Sequence, residues 1–202
     1  MGIHEVEPDE YLKRRFSYPV YTHLKGADLY KHKASGTYTR SDFHENPSDY
    51  ESRFLPYTEQ SDILMNGVYW DKNVPRLFEK EDAKSPHFII QTIADITDDA
   101  DGSVPINLGD QTIENPVYGV DKNTLQKVAA YSKDSIDVMA VGNLPNELPR
   151  DASRYFGEQL IKFILDDLVK GSSEIIERAT MANGGVLGMK YGYLQDYADG
   201  IK

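Results

Sequence analysis

Cysteine is absent from the 202 residues, which excludes disulfides, thiolate nucleophiles and cysteine-based zinc sites together. Long apolar runs are absent too. Stretches such as Phe88–Ile90 and Val138–Val141 are only a few residues long, whereas a membrane-spanning helix needs about 20. Tryptophan occurs once. Positive charge is scarce: 22 Lys and Arg face 33 Asp and Glu, for a net charge of −11. Such a chain repels a phosphate backbone on average, and its one basic cluster, Lys13-Arg14-Arg15, reads as a solvated face. The expectation is no nucleic acid, no membrane partner and a cytoplasmic location. The first residues are charged throughout and lack the apolar core of a secretory signal.

Familiar site motifs are missing as well. There is no P-loop, no G-x-S-x-G nucleophile elbow and no G-x-G-x-x-G phosphate loop. The five histidines are scattered without metal-ligand spacing, so the expected metal set is none. The acidic run Thr97–Gly102 fits part of a calcium-loop template, but Leu108 falls where the bidentate glutamate belongs. A solvated turn is the plainer reading, with one aspartate free to face a ligand.

What is present is an alternation of apolar strands and helical connections. Asp62–Trp70, Phe88–Ile96 and Asp137–Val141 read as buried strands, and Asn73–Asp82 as a short helical connection opened by Pro75. Ile3–Val6 reads as one further short strand, and the segment from Gly102 to about Ser135 as irregular. The fourteen tyrosines, many in the first 60 residues, suggest interface or half-buried packing. A long helix is expected over Asp151–Lys170, with Asp151 as N-cap and Gly171 ending it. Its apolar face holds Tyr155, Phe156, Leu160, Phe163, Ile164 and Leu168. A short helix over Glu174–Met181 and a turn at Asn183–Gly185 follow. Strands apolar throughout argue for an α/β fold whose parallel sheet is covered on both faces.

Ligands of open parallel sheets bind at the carboxyl ends of the strands. The candidate loops there are Asn66–Tyr69, Asp95–Gly102 and Gly142–Pro145, in which Gly67 and Gly142 would let a flat ring approach the backbone. A glycine after a strand is more often only a turn. On pattern, Ile3–Val6 would suit the second strand of a dinucleotide-binding unit, with Glu5 or Glu7 on the adenosine ribose.

Three segments taken together resemble a known family. They are Ser61–Asp71, Ile93–Pro105 and Met139–Ser153, the last carrying the specific run Asn-Leu-Pro-x-x-Leu-Pro-Arg-x-Ala-Ser. In this order they are similar to lysine-ketoglutarate reductase and lysine-forming saccharopine dehydrogenase, a family related to alanine dehydrogenase. The resemblance implies two Rossmann-like domains with the active site between them, and hydride transfer at an amino-acid C–N bond with NAD, NADP remaining open. It places Tyr69 near the adenosine part of the cofactor and Ile96 at the end of the second strand. Val141, Gly142, Asn143 and Leu144 then form the loop reaching toward the nicotinamide. The family often carries Asp at the position of Gly142.

The resemblance also implies that residues 1–150 form an incomplete Rossmann-type domain, lacking the first strand and the glycine-rich loop. Residues 151–202, a C-terminal helical segment, would pack toward an N-terminal catalytic domain that supplies the catalytic Lys and His. No catalytic residue is therefore assigned here. An amino-acid or keto-acid substrate would be bound with that N-terminal half, and association into a homo-oligomer is compatible with the sequence. A fragment, a split subunit and a non-catalytic binding or interaction protein on a degraded fold all remain open.

Overall fold

A computed structural model describes residues 2–201. Met1 and Lys202, the outermost residues of the two expected domains, lie outside the described residues. The chain divides into two compact units, one ending at Leu144 and the other beginning at Pro145.

The first unit is built on a five-stranded mixed sheet. Its strands are β1 (Ile63–Asn66), β2 (Thr92–Asp95), β3 (Val117–Asp121), β4 (Lys127–Val128) and β5 (Ser135–Met139). They lie in the order β1-β2-β5-β3-β4. β1, β2 and β5 run parallel, with Leu64 opposite Ile93 and Ile93 opposite Val138. β3 pairs antiparallel with β5, and β4 antiparallel with β3. The fold is thus mixed α/β, and the expectation of a wholly parallel sheet is corrected. The hairpin β3–β4 falls in the segment read as irregular. Pro116 and Gly119 hid it, although Val117-Tyr118 and Val120 supply the β-branched and aromatic content of a strand.

Side chains alternate across a strand, and here the alternation divides a buried face from an open one. Ile93, Tyr118, Val120, Ile136 and Val138 are all buried on one face. The other presents Ile63 and Met65, 67% and 74% exposed, beside half-buried Ala94, Val117 and Met139. Both faces are apolar, so the sequence reads as a sheet covered twice. The structure covers one.

The two crossovers contain little regular helix. Asn73–Asp82, expected to be helical, is a chain of turns closed by a 3-10 turn at Asp82–Lys84. Pro75 lies early in it, but no repeated i→i−4 bonding follows. Instead Leu77, Phe78 and Ala83 drop into the core beside Phe88 and Ile90.

The tyrosine-rich first 60 residues also form core. A short antiparallel pair, Tyr30–His32 with Tyr50–Ser52, buries Tyr30 and Tyr50 against Phe43. Phe54 and Tyr57 carry this aromatic layer toward Phe78. The expected strand at Ile3–Val6 is present as His4–Glu5, but it pairs only with Val20–Tyr21 in a separate two-stranded sheet. It is therefore not a second strand of the main sheet. The strand placement on which Glu5 or Glu7 was expected to meet a ribose is thus corrected, and Glu5 accepts a hydrogen bond from the Tyr21 hydroxyl at 3.1 Å.

The second unit holds α1 (Pro149–Phe163), α2 (Leu165–Lys170) and α3 (Glu174–Ala179). The expected single helix breaks at Ile164, whose φ and ψ are −128° and −31°. No proline or glycine stands at the break. The N-cap is Leu148, with Pro149 as the first helical residue; Asp151 sits inside the first turn, where its charge suits the helix dipole. Gly171 ends α2 in the left-handed conformation, φ 86°. Ser173 caps α3 by accepting the Ile176 N–H. Gly184 and Gly185, at φ 59° and 82°, turn the hairpin that joins Ala182–Asn183 to Val186–Leu187. Among the described residues of this unit none is buried; Tyr155, Phe156 and Phe163 are each more than half exposed.

Stability should therefore reside in the first unit. Ile93→Ala, at a fully buried position in the central parallel strands, should cost about 2–5 kcal/mol in a denaturant titration. Phe156→Ala, at a site 65% exposed, should stay within about 0.5 kcal/mol of the parent.

Candidate functional site

Three neighbouring parallel strands, β1, β2 and β5, end on the same edge of the sheet, which is where α/β folds place their ligands. β1 and β2 change from apolar to polar at this edge, and their polar side chains turn inward, while β5 runs on into buried Ala140 and Val141. Asn66 and Asp95, opposite each other in register, are 2% and 0% exposed. Asn66 Nδ2 donates to Asp95 Oδ1 at 2.8 Å and to Ser103 Oγ at 2.8 Å. Thr97 Oγ1 donates to Asp95 Oδ1 at 2.8 Å, and Asn107 Nδ2 donates to Asp95 Oδ2 at 2.9 Å. The Tyr118 hydroxyl continues the network, donating to Asn107 Oδ1 at 3.2 Å and accepting the Leu108 N–H at 2.7 Å. Burial pushes the Tyr118 phenol up to about 12.

A buried carboxyl is costly unless every oxygen finds donors, and Asp95 has three side chains serving its two. The network therefore fixes the loops rather than presenting groups to solvent. The backbone adds two ties: the Ile96 N–H donates to Asn66 O at 2.8 Å, and the Gln111 N–H to Ala140 O at 2.8 Å.

Above this base lie the residues singled out in the sequence. Gly67, Ile96 and the run Val141–Asn143 all stand at the ends of the three adjacent strands. Val141 is buried, while Gly142 and Asn143 are exposed and Ile96 is 44% exposed. Leu144 is half-buried and opens a 3-10 turn. Tyr69 lies farther along the loop after β1, with its ring 78% exposed. A shallow groove of about 260 Å³ runs beside Val141–Asn143 and is walled by Asp110–Glu114.

The acidic loop is only partly solvated. Gly102 and Ser103 are buried, and Asp101 pairs with Arg76 and Lys80, both at 3.0 Å. Asp98 is half-buried beside Asp110, and Gly142 donates its N–H to Asp110 Oδ1 at 2.8 Å. Desolvation and the Asp110 charge push the Asp98 carboxyl above its ordinary range. No group of three or more His, Asp or Glu able to hold a metal occurs among the described residues. No helix there is long and apolar enough to cross a membrane.

The edge offers hydrogen-bond acceptors and uncovered backbone, which suit a hydroxyl- or amide-bearing flat ligand. The groove beside Val141–Asn143 is lined by no basic side chain that could hold a pyrophosphate. Asn66 and Asp95 opened two of the candidate loops read from the sequence, but their buried pairing, and the parts of Asn107 and Tyr118, were not read there. Their signal was a polar residue closing each apolar strand, Asn66 after Ile63–Met65 and Asp95 after Thr92–Ala94.

No protein-family model matches the chain. It is similar to alpha-aminoadipic semialdehyde synthase, mitochondrial, of Mus musculus, at 30% identity over 81% of this chain and 20% of the relative. The protein of the same name from Rattus norvegicus gives the same figures, 30%, 81% and 20%. The L-lysine-forming, NAD(+) saccharopine dehydrogenase of Schizosaccharomyces pombe is 26% identical over 54% of this chain and 29% of that protein. The chain spans about a fifth of the length of the first two. The resemblance to the saccharopine dehydrogenase and lysine-ketoglutarate reductase family seen in the sequence thus holds.

Asn66→Ala should destabilise the first unit by about 1–3 kcal/mol, because Asp95 Oδ1 and Ser103 Oγ each lose a buried donor. Denaturant melts of the variant and parent measure it.

Proposed function

We propose that the chain supplies the nicotinamide-side part of a Rossmann-type dinucleotide-binding domain in an amino-acid oxidoreductase of the saccharopine dehydrogenase type, acting at a C–N bond. The observation that carries this reading is the alignment of Gly67, Ile96 and Val141–Asn143 along the ends of three adjacent parallel strands, in a chain related to enzymes of lysine metabolism. The cofactor, NAD or NADP, would supply the hydride chemistry when bound. This chain's residues would orient its ring end: Gly67 and Gly142 by leaving backbone uncovered, Ile96 and Val141 by apolar contact, Asn143 and Leu144 from the loop after β5. Tyr69, farther out and exposed, would meet the adenosine side.

In this reading residues 1–150 are a partial dinucleotide-binding domain whose first strand and glycine-rich loop come from further polypeptide. The outer edge of β1, unpaired among the described residues, supports that, since an open backbone edge invites another strand, and the apolar face around Ile63 and Met65 invites a covering layer. Residues 151–202 would pack toward an N-terminal domain that also contributes acid–base groups and the amino-acid or keto-acid pocket. The exposed apolar side chains of α1 support it. A cytoplasmic location and the relation to alanine dehydrogenase belong to this same reading. The rival, a non-catalytic binding protein on the same fold, draws on the acidic strand-end groups Asp98, Asp110 and Glu114, which disfavour phosphate.

Calorimetric titration with NADH tests the division of labour. The 202-residue chain alone should give no measurable binding at micromolar concentrations, and the polypeptide completing the sheet should restore it. Tight binding by the chain alone would overturn the view that the pyrophosphate anchor lies elsewhere.

A further inference from the structure

The opposite end of the sheet carries a second depression, where β2 begins at Thr92, β5 begins at Ser135 and β3 ends at Asp121. It is an open cavity of about 380 Å³ whose lining includes Thr92, Lys122, Tyr131, Asp134 and Asp137. Lys122 is half-buried there, and its Nζ donates to Phe88 O at 3.1 Å, which occupies one of the three protons an ammonium can donate. Burial pushes the Lys122 ammonium below its ordinary value, and the Asp134 charge works against that. The Lys122 N–H donates to Asp134 O at 3.0 Å, so the backbone holds the two residues side by side. Their side chains nevertheless do not meet. Among the described residues, no carboxylate lies within ion-pair distance of Lys122. A cation and a carboxylate thus line one cavity with space between them.

The wall from Ala129 to Ser135 is fixed in advance. Tyr131 and Asp134 both have left-handed backbone, at φ 62° and 58°. An aspartate adopts that conformation readily, and a tyrosine does not. The turn is held by Ser132 Oγ donating to Ala129 O and Ser135 Oγ donating to Ser132 O, both at 2.7 Å. The Tyr131 N–H donates to Asp137 Oδ1 at 2.8 Å. The side chain of Tyr131 is left 80% exposed at the cavity, an apolar ring beside charged groups.

The charges select the ligand. A half-buried ammonium without a carboxylate is costly, and one backbone carbonyl offsets only part of that cost. A simple anion would complete Lys122 but would also face Asp134 and Asp137. A simple cation would meet Lys122. A small molecule carrying a carboxylate and an ammonium together satisfies both sides. We propose that this cavity binds a free α-amino acid with an apolar side chain, its carboxylate on Lys122, its ammonium on Asp134 and its side chain on the Tyr131 ring. The site lies at the far end of the strands from the loops of the proposed cofactor surface and shares no residue with them. It therefore goes beyond that function, and either can fail without the other.

The test is an NMR titration of the isotopically labelled full chain with L-leucine. Isocaproate and isoamylamine, each leucine with one charged group removed, are the controls. Leucine should shift the Tyr131, Ser132 and Asp137 amides saturably at millimolar concentration. Each control should bind about tenfold more weakly or less, as expected for one lost charge-assisted hydrogen bond. Lys122→Met should weaken leucine about tenfold, and so should Asp134→Asn, whose asparagine keeps the left-handed backbone. Exchange protection of the Ile93 amide reports that the fold survives in each variant. No saturable shift with leucine, equal binding of either control, or unchanged affinity in Asp134→Asn with Ile93 protected would overturn the proposal. If Lys122→Met does not fold, the two controls and Asp134→Asn decide it alone.

Discussion

The strand-end edge depends on the burial of one carboxyl group. Asp95 is fully enclosed, and it closes β2 at the point where β1 and β5 also end. Its oxygens are satisfied by Asn66, Thr97 and Asn107, and Tyr118 in turn holds Asn107. Leaving any of those donors out would strand a buried acceptor, at a cost comparable to a large share of a domain's stability. The loops that carry Gly67, Ile96 and Gly142 thus inherit their positions from a polar knot beneath them. A rigid base under exposed loops is the arrangement a binding edge requires.

The same sheet leaves a conspicuous surface uncovered. Ile63 and Met65 on β1 project from an edge strand whose outer side pairs with nothing among the described residues. The second unit shows the same imbalance in another form, with apolar side chains on α1 and α2 and no buried residue. Burying an apolar side chain contributes about 1.5–3 kcal/mol, so each surface is a substantial reserve of association energy. Both features fit a chain that covers about a fifth of its relatives' length.

Much of this was legible in the sequence, and the misses have physical causes. The parallel strands announced themselves as apolar runs, and Gly171 and the Asn183–Gly185 turn as chain reversals, because those signals are local. The break at Ile164 carries no local signal at all. β3 was hidden because Pro116 and Gly119 resemble loop residues, and its identity as a strand comes from pairing with β5. The open sheet face could not be read, since apolar residues alternate on both sides and sequence does not say which side is occupied. The polar network was concealed for the opposite reason: Asn66, Asp95 and Asn107 look like surface residues until the fold brings them together. The turn at Thr97–Gly102 was read as solvated because its charges are dense, yet Asp98 is half-buried and Asp101 is neutralised by Arg76 and Lys80.

The central claim is that the ends of β1, β2 and β5 form the surface a cofactor ring approaches. An amide chemical-shift map of the chain with NADH raised to millimolar concentration tests it most directly, because it registers contacts too weak for calorimetry. The account predicts shifts confined to Gly67, Ile96, Gly142 and Asn143 and their immediate neighbours. Shifts absent there, or concentrated at the opposite end of the sheet around Lys122 and Asp134, would contradict it.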